Sequence, residues 1–216
     1  MIKLYGFNLS FPTNKVRFAL NLFNLEYEFV ALNPWKGEHK SEAHIKRHPA
    51  GKVPVIEDGD FTLFESNAIV RYLAEKVHNT NYYPSDLQQQ ALVNQWLDFA
   101  ASHIGTNVSK VLFNRYFADK IGIEVDSRSM EEGHQFLSNH LPILEAQLTN
   151  NTYIAGNHMT IADIELLASL DPVDLIDIDL NQYPHLNNWR KQLMTEAFYT
   201  KVHQYYGEGF FEKATV

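Results

Sequence analysis

At 216 residues the chain has length for one large domain or two small ones, and 45% hydrophobic with 20% charged residues is ordinary globular composition. The absence of cysteine excludes disulfides, thiolate metal sites and a cysteine nucleophile. The net charge of −8 argues against nucleic acid as a partner, and it is unevenly spread: residues 1–77 carry 10 basic against 9 acidic side chains, the remainder 8 against 17. The acidic remainder reads as solvated surface. No apolar run approaches the roughly 18 residues needed to cross a membrane, and Met1-Ile2-Lys3-Leu4-Tyr5-Gly6 lacks the apolar core of a signal peptide. A cytoplasmic protein without membrane contact is expected.

In chain order, residues 2–5 read as a buried strand ended by Gly6. Ser10, Thr13 and Asn14 then offer capping side chains, and Pro12 suits a first helical turn. Val16, Phe18, Ala19, Leu20, Leu22 and Phe23 follow at roughly helical spacing, predicting a helix to about Asn24. Residues 27–32 alternate as a second strand. Residues 33–51 are polar and basic, broken by Pro34, Gly37 and Pro49: a surface loop with room for one short helix. Two apolar runs, 53–56 and 61–64, flank Asp58-Gly59, a hairpin signal with positive φ expected at both residues. Pro54 cannot donate to a ladder and belongs at a strand start or edge. Ser66 is placed to cap a helix carrying Ala68, Ile69, Tyr72 and Leu73. The order is βαβ, loop, ββα, ending near Val77.

Residues 78–88 form a polar linker, and from 89 to 216 the periodicity is helical. Leu87, Ala91, Asn94, Leu97, Ala101, Ile104, Val108, Leu112 and Arg115 keep one face over about 30 residues, with Gly105 as a kink. A second helix spans residues 126–148. Thr160 and Asp163 fit a capping box before an apolar helix, with Met159 and Ile164 as its apolar staple. Residues 171–179 are acidic and turn-like, and Pro184 opens a last clear helix to Met194. His44 and His48 stand four apart but lack a matching Glu and a firm helix, so no metal site is expected.

Val53-Pro54, the Asp58-Gly59 hairpin, Glu65-Ser66, Gly37-Glu38-His39-Lys40 and Ser10-Phe11-Pro12-Thr13 stand in the same order as in a known family. Over nearly its whole length the chain resembles the cytosolic glutathione S-transferases, specifically the serine-type branch similar to the phi and theta classes. The resemblance implies an α/β thioredoxin-like domain (1–77) followed by an all-α domain, glutathione as co-substrate, no metal, and a homodimer. Asn67 stands where phi proteins commonly have arginine, and Lys52 where many have glutamine, which leaves the class open.

Ser10 lies between a strand end and a helix start, where free amides and the helix dipole favour negative charge. A thiolate placed there gains a hydroxyl donor and a stabilising field; alternatively Ser10 is an N-cap alone, with Thr13 the fallback hydroxyl. Tyr5, a competing hydroxyl, reads as core. By resemblance, Glu65 and Ser66 take the γ-glutamyl end of glutathione, Val53 beside Pro54 pairs with its cysteinyl backbone, and His39, Lys40 and Lys52 meet its glycine carboxylate. Phe7, Phe11, His103, Asn107, Val111 and Tyr116 are candidates for the wall of the second, apolar electrophilic substrate, although that stripe also suits plain core. The tail from Tyr205 to Phe211 could cover this pocket or pack on its own domain. The expected activity is conjugation of small apolar electrophiles, with peroxide reduction as a side activity. The rival reading is a binding protein without turnover. Disulfide reduction through a protein thiol is closed to a chain without cysteine.

Overall fold

A four-stranded sheet organises the amino-terminal half and helices form the rest; the computed structural model describes residues 1–78 and 80–202. β1 (Ile2–Gly6) runs parallel to β2 (Tyr27–Ala31) and antiparallel to β3 (Val55–Asp58), which pairs antiparallel with β4 (Phe61–Phe64), giving the order β2-β1-β3-β4. A parallel pair needs a crossover, here α1 (Phe11–Leu22), whose buried Val16, Phe18, Ala19 and Leu20 lie in the common core with Leu4 and Ile56. The β3–β4 register pairs Asp58 with Phe61, so the central turn residues are Gly59-Asp60, not Asp58-Gly59. Gly59 alone takes positive φ, at 61°, which is the requirement at the first position of a type II′ turn. Between β2 and β3 the chain makes short 3₁₀ turns at Pro34–Lys36 and Glu38–Lys40 and the helix α2 (Glu42–Arg47). α3 (Ser66–Lys76) completes this half.

In the helical half, α4 (Leu87–Phe99) continues through a π-helical segment, Ala100–Gly105, into α5 (Thr106–Tyr116). The irregularity expected at Gly105 is thus spread over a wide turn. α6 (Ser127–Asn150) packs along α5 with Pro142 in its interior. α7 (Ile161–Leu170) is buried at every residue, as expected of a helix packed on all sides, and touches α1, α3, α4 and the π-helical segment. Its start is the predicted capping box: Thr160 Oγ1 accepts from the Ala162 amide, and the Thr160 amide donates to Asp163 Oδ2 at 2.8 Å. Asp163 also accepts from the Ile154 amide (2.9 Å) and the Trp189 indole (3.1 Å), so one carboxylate ties α7 to the 154 loop and to α8 (Pro184–Met194). The acidic stretch is 3₁₀ at Asp171–Leu175, and a short α9 (Ala197–Thr200) packs back on α1. The aromatic segment from Tyr205 lies outside the described residues.

Candidate active site

The candidate residues lie on two helix N-termini and one loop. At α1, Ser10 is the N-cap: its amide donates to the Phe7 carbonyl (2.9 Å), and its half-buried hydroxyl oxygen accepts from the Thr13 amide at 3.3 Å. Accepting there leaves the hydroxyl proton to donate elsewhere. No acidic side chain occupies the first turn, so the positive end of the helix dipole is not neutralised locally. Thr13 is fully buried; its Oγ1 accepts from the Phe7 amide at 3.4 Å, and a Cβ on Gly6 would overlap its methyl group. Thr13 therefore locks the β1–α1 corner with its hydroxyl fully buried. Tyr5 donates to Glu57 Oε2 at 2.7 Å beneath the Arg47 guanidinium, and burial, then the Glu57 contact, raises its pKa. Its phenol is held protonated and engaged.

At α3, the N-cap is Glu65, one position earlier than the predicted cap, and Ser66 is the first helical residue. Glu65 takes φ 68°, a conformation unusual for a side chain of its size and costing on the order of 1–3 kcal/mol. The first intrahelical bond runs from the Ile69 amide to the Glu65 carbonyl, so the amides of residues 66–68 face out of the helix end. Ser66 Oγ accepts from Lys15 Nζ at 2.8 Å.

The loop before β3 contains the cis Val53-Pro54 bond. Among the described residues no hydrogen bond engages the Val53 amide or carbonyl. Val53 lines a cavity of about 310 Å³ with Phe7, Leu32, Pro34, His39, Lys40, Gly51 and Lys52. Five predicted residues therefore meet in one cavity, while Ser10, Glu65 and Ser66 stand at the helix ends. Lys40 donates to the Ala50 carbonyl at 2.9 Å. His39 Nδ1 is buried without a hydrogen-bond partner, and burial, then the Lys40 charge, lowers its pKa, so the imidazole is neutral at pH 7. His44 and His48 brace this loop through backbone: His44 Nε2 donates to the Lys52 carbonyl at 2.8 Å, and His48 Nδ1 accepts from the Ala50 amide at 3.2 Å.

The second-substrate candidates are not gathered in one place. Phe7 lines the cavity and Phe11 is buried in the core at the start of α1. His103, on the π-helical segment, stacks on His140 of α6 with ring centroids 4.7 Å apart. Asn107 donates its side-chain amide to the His103 carbonyl one turn back (2.8 Å), and Val111 faces α6, packing where a Cβ on Gly133 would intrude. Tyr116 donates to the Leu175 carbonyl at 2.6 Å. Sequence reasoning missed Trp35, which stacks on Phe117 at 5.8 Å and so joins the loop before β3 to the end of α5; its indole nitrogen is buried without a partner. The available signal was a large aromatic in an otherwise polar stretch. Also missed were two buried charges, Lys15 and Glu165, each interrupting an apolar helix.

A thioredoxin-like sheet, two helix N-termini beside it and an all-helical second half define the architecture of the chain. Residues 1–75 match the glutathione S-transferase N-terminal domain and residues 106–197 the C-terminal domain. The chain is 33% identical to a probable glutathione S-transferase GSTF2 of Oryza sativa subsp. japonica, covering 93% of this chain and 95% of that one. Glutathione S-transferase I from maize, solved with an atrazine glutathione conjugate, is similar with a TM-score of 0.84 at 31% identity, over 93% of this chain and 95% of that one. A delta-class glutathione transferase of Nilaparvata lugens reaches 0.87 at 26% identity, over 100% and 99%. The chain belongs to the glutathione S-transferase family, and it is a transferase with glutathione as co-substrate.

Proposed function

We propose that Ser10 activates the glutathione thiol. The observation that carries this is the Ser10 hydroxyl at the amino end of α1, whose oxygen accepts from the Thr13 amide and whose proton is left to donate to a ligand. A sulfur seated there receives one hydrogen bond and the field of the helix, which lowers a thiol pKa from about 8.5 by one or more units. The thiolate then attacks an electrophilic carbon. With a chlorinated nitroaromatic, the C–S bond forms, chloride leaves with the bonding pair, and the thiol proton has already passed to solvent. With a hydroperoxide the thiolate cleaves the O–O bond, giving an alcohol and a sulfenic acid that a second glutathione converts to disulfide and water.

The α3 amino end with Glu65 and Ser66 takes the γ-glutamyl group, its amides and hydroxyl toward the carboxylate and Glu65 toward the amine. The unpaired backbone of Val53, next to Pro54, takes the cysteinyl unit, and His39, Lys40 and Lys52 take the glycine carboxylate. Phe7, Phe11 and Tyr116 remain as wall residues for an apolar electrophile, joined by Trp35 and Phe117; His103 and Val111 are set aside because they pack on α6, and Asn107 because its amide is engaged by the His103 carbonyl. A homodimer is supported by exposed apolar side chains on β4, α4 and α6, namely Phe61, Leu92, Phe136 and Ile143. A cytoplasmic location is supported by the absence of cysteine.

The test is conjugation of a chlorinated nitroaromatic by wild type and Ser10→Ala, alongside titration of the bound thiol by thiolate absorbance. The variant is expected to lose about tenfold or more in kcat below pH 7, with the thiol pKa returning toward that of free glutathione. Equal rates and equal thiol pKa values would remove Ser10 from the mechanism.

A further inference from the structure

Lys15 is the least expected charge in the molecule. Its side chain is 5% exposed, and its ammonium meets three groups on two other helices: Ser66 Oγ at 2.8 Å, Asn67 Oδ1 at 2.6 Å, and the Glu165 carboxylate, itself 2% exposed. Lys15 belongs to α1, Ser66 and Asn67 to α3, and Glu165 to α7, so the cluster crosses between the two halves of the chain. Ser169 braces the far end by donating to Glu165 Oε1 at 2.9 Å. Gly105 leaves room for Ser169, since a Cβ there would stand 2.7 Å from its hydroxyl oxygen.

An ammonium has donors and no acceptor, so its contact with Ser66 uses a lone pair of the hydroxyl oxygen. That orients the Ser66 proton away from Lys15. Apolar side chains of similar volume would hold the three helices together as well as a buried ion pair does, so packing alone does not account for the charges. What they supply is a fixed hydroxyl and a cation at the amino end of α3.

We propose that Lys15 is a positioning residue for the γ-glutamyl carboxylate: held by Glu165, it pins the Ser66 oxygen so that the hydroxyl donates to the ligand. The proposal rests on the reading of the α3 amino end as the γ-glutamyl subsite. The helical half, through α7, thereby sets the polarity of a subsite built on the other half.

The test compares glutathione with γ-aminobutyryl-cysteinyl-glycine, which lacks only the γ-glutamyl α-carboxylate. The main variant is Lys15→Met combined with Glu165→Gln, which removes both buried charges together, with Lys15→Arg as the conservative control. With the double variant we expect KM for glutathione to rise about tenfold, the size of one charge-assisted hydrogen bond, and kcat and the electrophile KM to stay within about twofold. KM for the shortened peptide is expected to be the same in wild type and double variant, and Lys15→Arg to recover most of the glutathione affinity. A folded double variant with wild-type glutathione KM, or with equal penalties for both peptides, overturns the proposal. Ser66→Ala leaves the ion pair intact and supplies a second measurement: it should raise KM for glutathione and not for the shortened peptide, and an unchanged KM also overturns the proposal. Wild type that fails to distinguish the two peptides would instead remove the subsite reading itself.

Discussion

The two serines at the helix ends share one feature, an oxygen that accepts from a nitrogen donor, with different support. Ser10 caps its own helix, and its oxygen is occupied by an amide three residues on, so everything that orients it is local to the β1–α1 corner. Ser66 is one residue inside its helix, and its oxygen is occupied by a lysine from α1 that is anchored on α7. The first site is written in a short stretch of chain; the second exists only once both halves have packed. A change in the helical half should therefore reach the α3 site and leave the α1 site intact.

The largest expected effect tests this division directly. Lys15→Met alone strands the Glu165 carboxylate in the core, and equilibrium denaturation should show a loss of about 3–5 kcal/mol. Adding Glu165→Gln should restore much of it; no restoration would mean that the charges are not coupled.

Next is the pH dependence carried by Asp163, which anchors α7. Burial pushes its pKa up to about 6 against an ordinary 3.8, although amides, the Trp189 indole and the Thr160 hydroxyl all donate to it. The folded chain thus holds this proton more tightly than the unfolded chain. The Asp163 contribution to stability is most favourable below about pH 4 and is lost as pH rises through 6, by about 3 kcal/mol at most. Glu57 and Asp58, whose pKa values are lowered, work in the opposite direction. The measurement is accordingly the difference in denaturation between wild type and Asp163→Asn across pH 4–7, and a flat difference would contradict the assignment.

A smaller effect is expected of Gly105→Ala. Overpacking against Ser169 should cost about 1–3 kcal/mol and raise KM for glutathione without altering the thiol pKa at Ser10. A shifted thiol pKa would show that the two helix ends are not independent. Smallest in stability is Ser10→Ala, which removes one N-cap and should cost about 1 kcal/mol while affecting turnover most.

What the sequence disclosed follows the same line. Ser10, the hairpin strands and the Thr160–Asp163 box were legible because each depends on a few consecutive residues. Lys15 and Glu165 were not, because a single charge within a helical pattern reads as an exposed face until the partner helix is known. The wall candidates His103, Asn107 and Val111 lie on the same long helical stretch as the face traced through residues 87–115, but not on that face. That face runs through the π-helical segment and stays buried on both sides of it, with Leu97 before, Ile104 within, and Val108 and Leu112 after. It leaves the core at its ends, where Leu87 is 78% exposed and Arg115 pairs with Asp177. The hairpin turn moved by one residue because Asp58 belongs to the ladder, and its carboxylate is engaged by Tyr72 and Lys76. Trp35 and Phe117 lie 82 positions apart in the chain, and no local pattern links them.

The complete burial of α7 against α1 and α3 has a consequence for how the molecule can be divided. Cutting the chain after the sheet-bearing portion would uncover the greasy side of α1 and leave an ammonium deprived of its counter-ion where water had been kept out. Such a fragment inherits a liability together with its strands. The helical portion is therefore a condition for the other to exist as a peptide-binding body, and the two are expected to melt together as one cooperative unit.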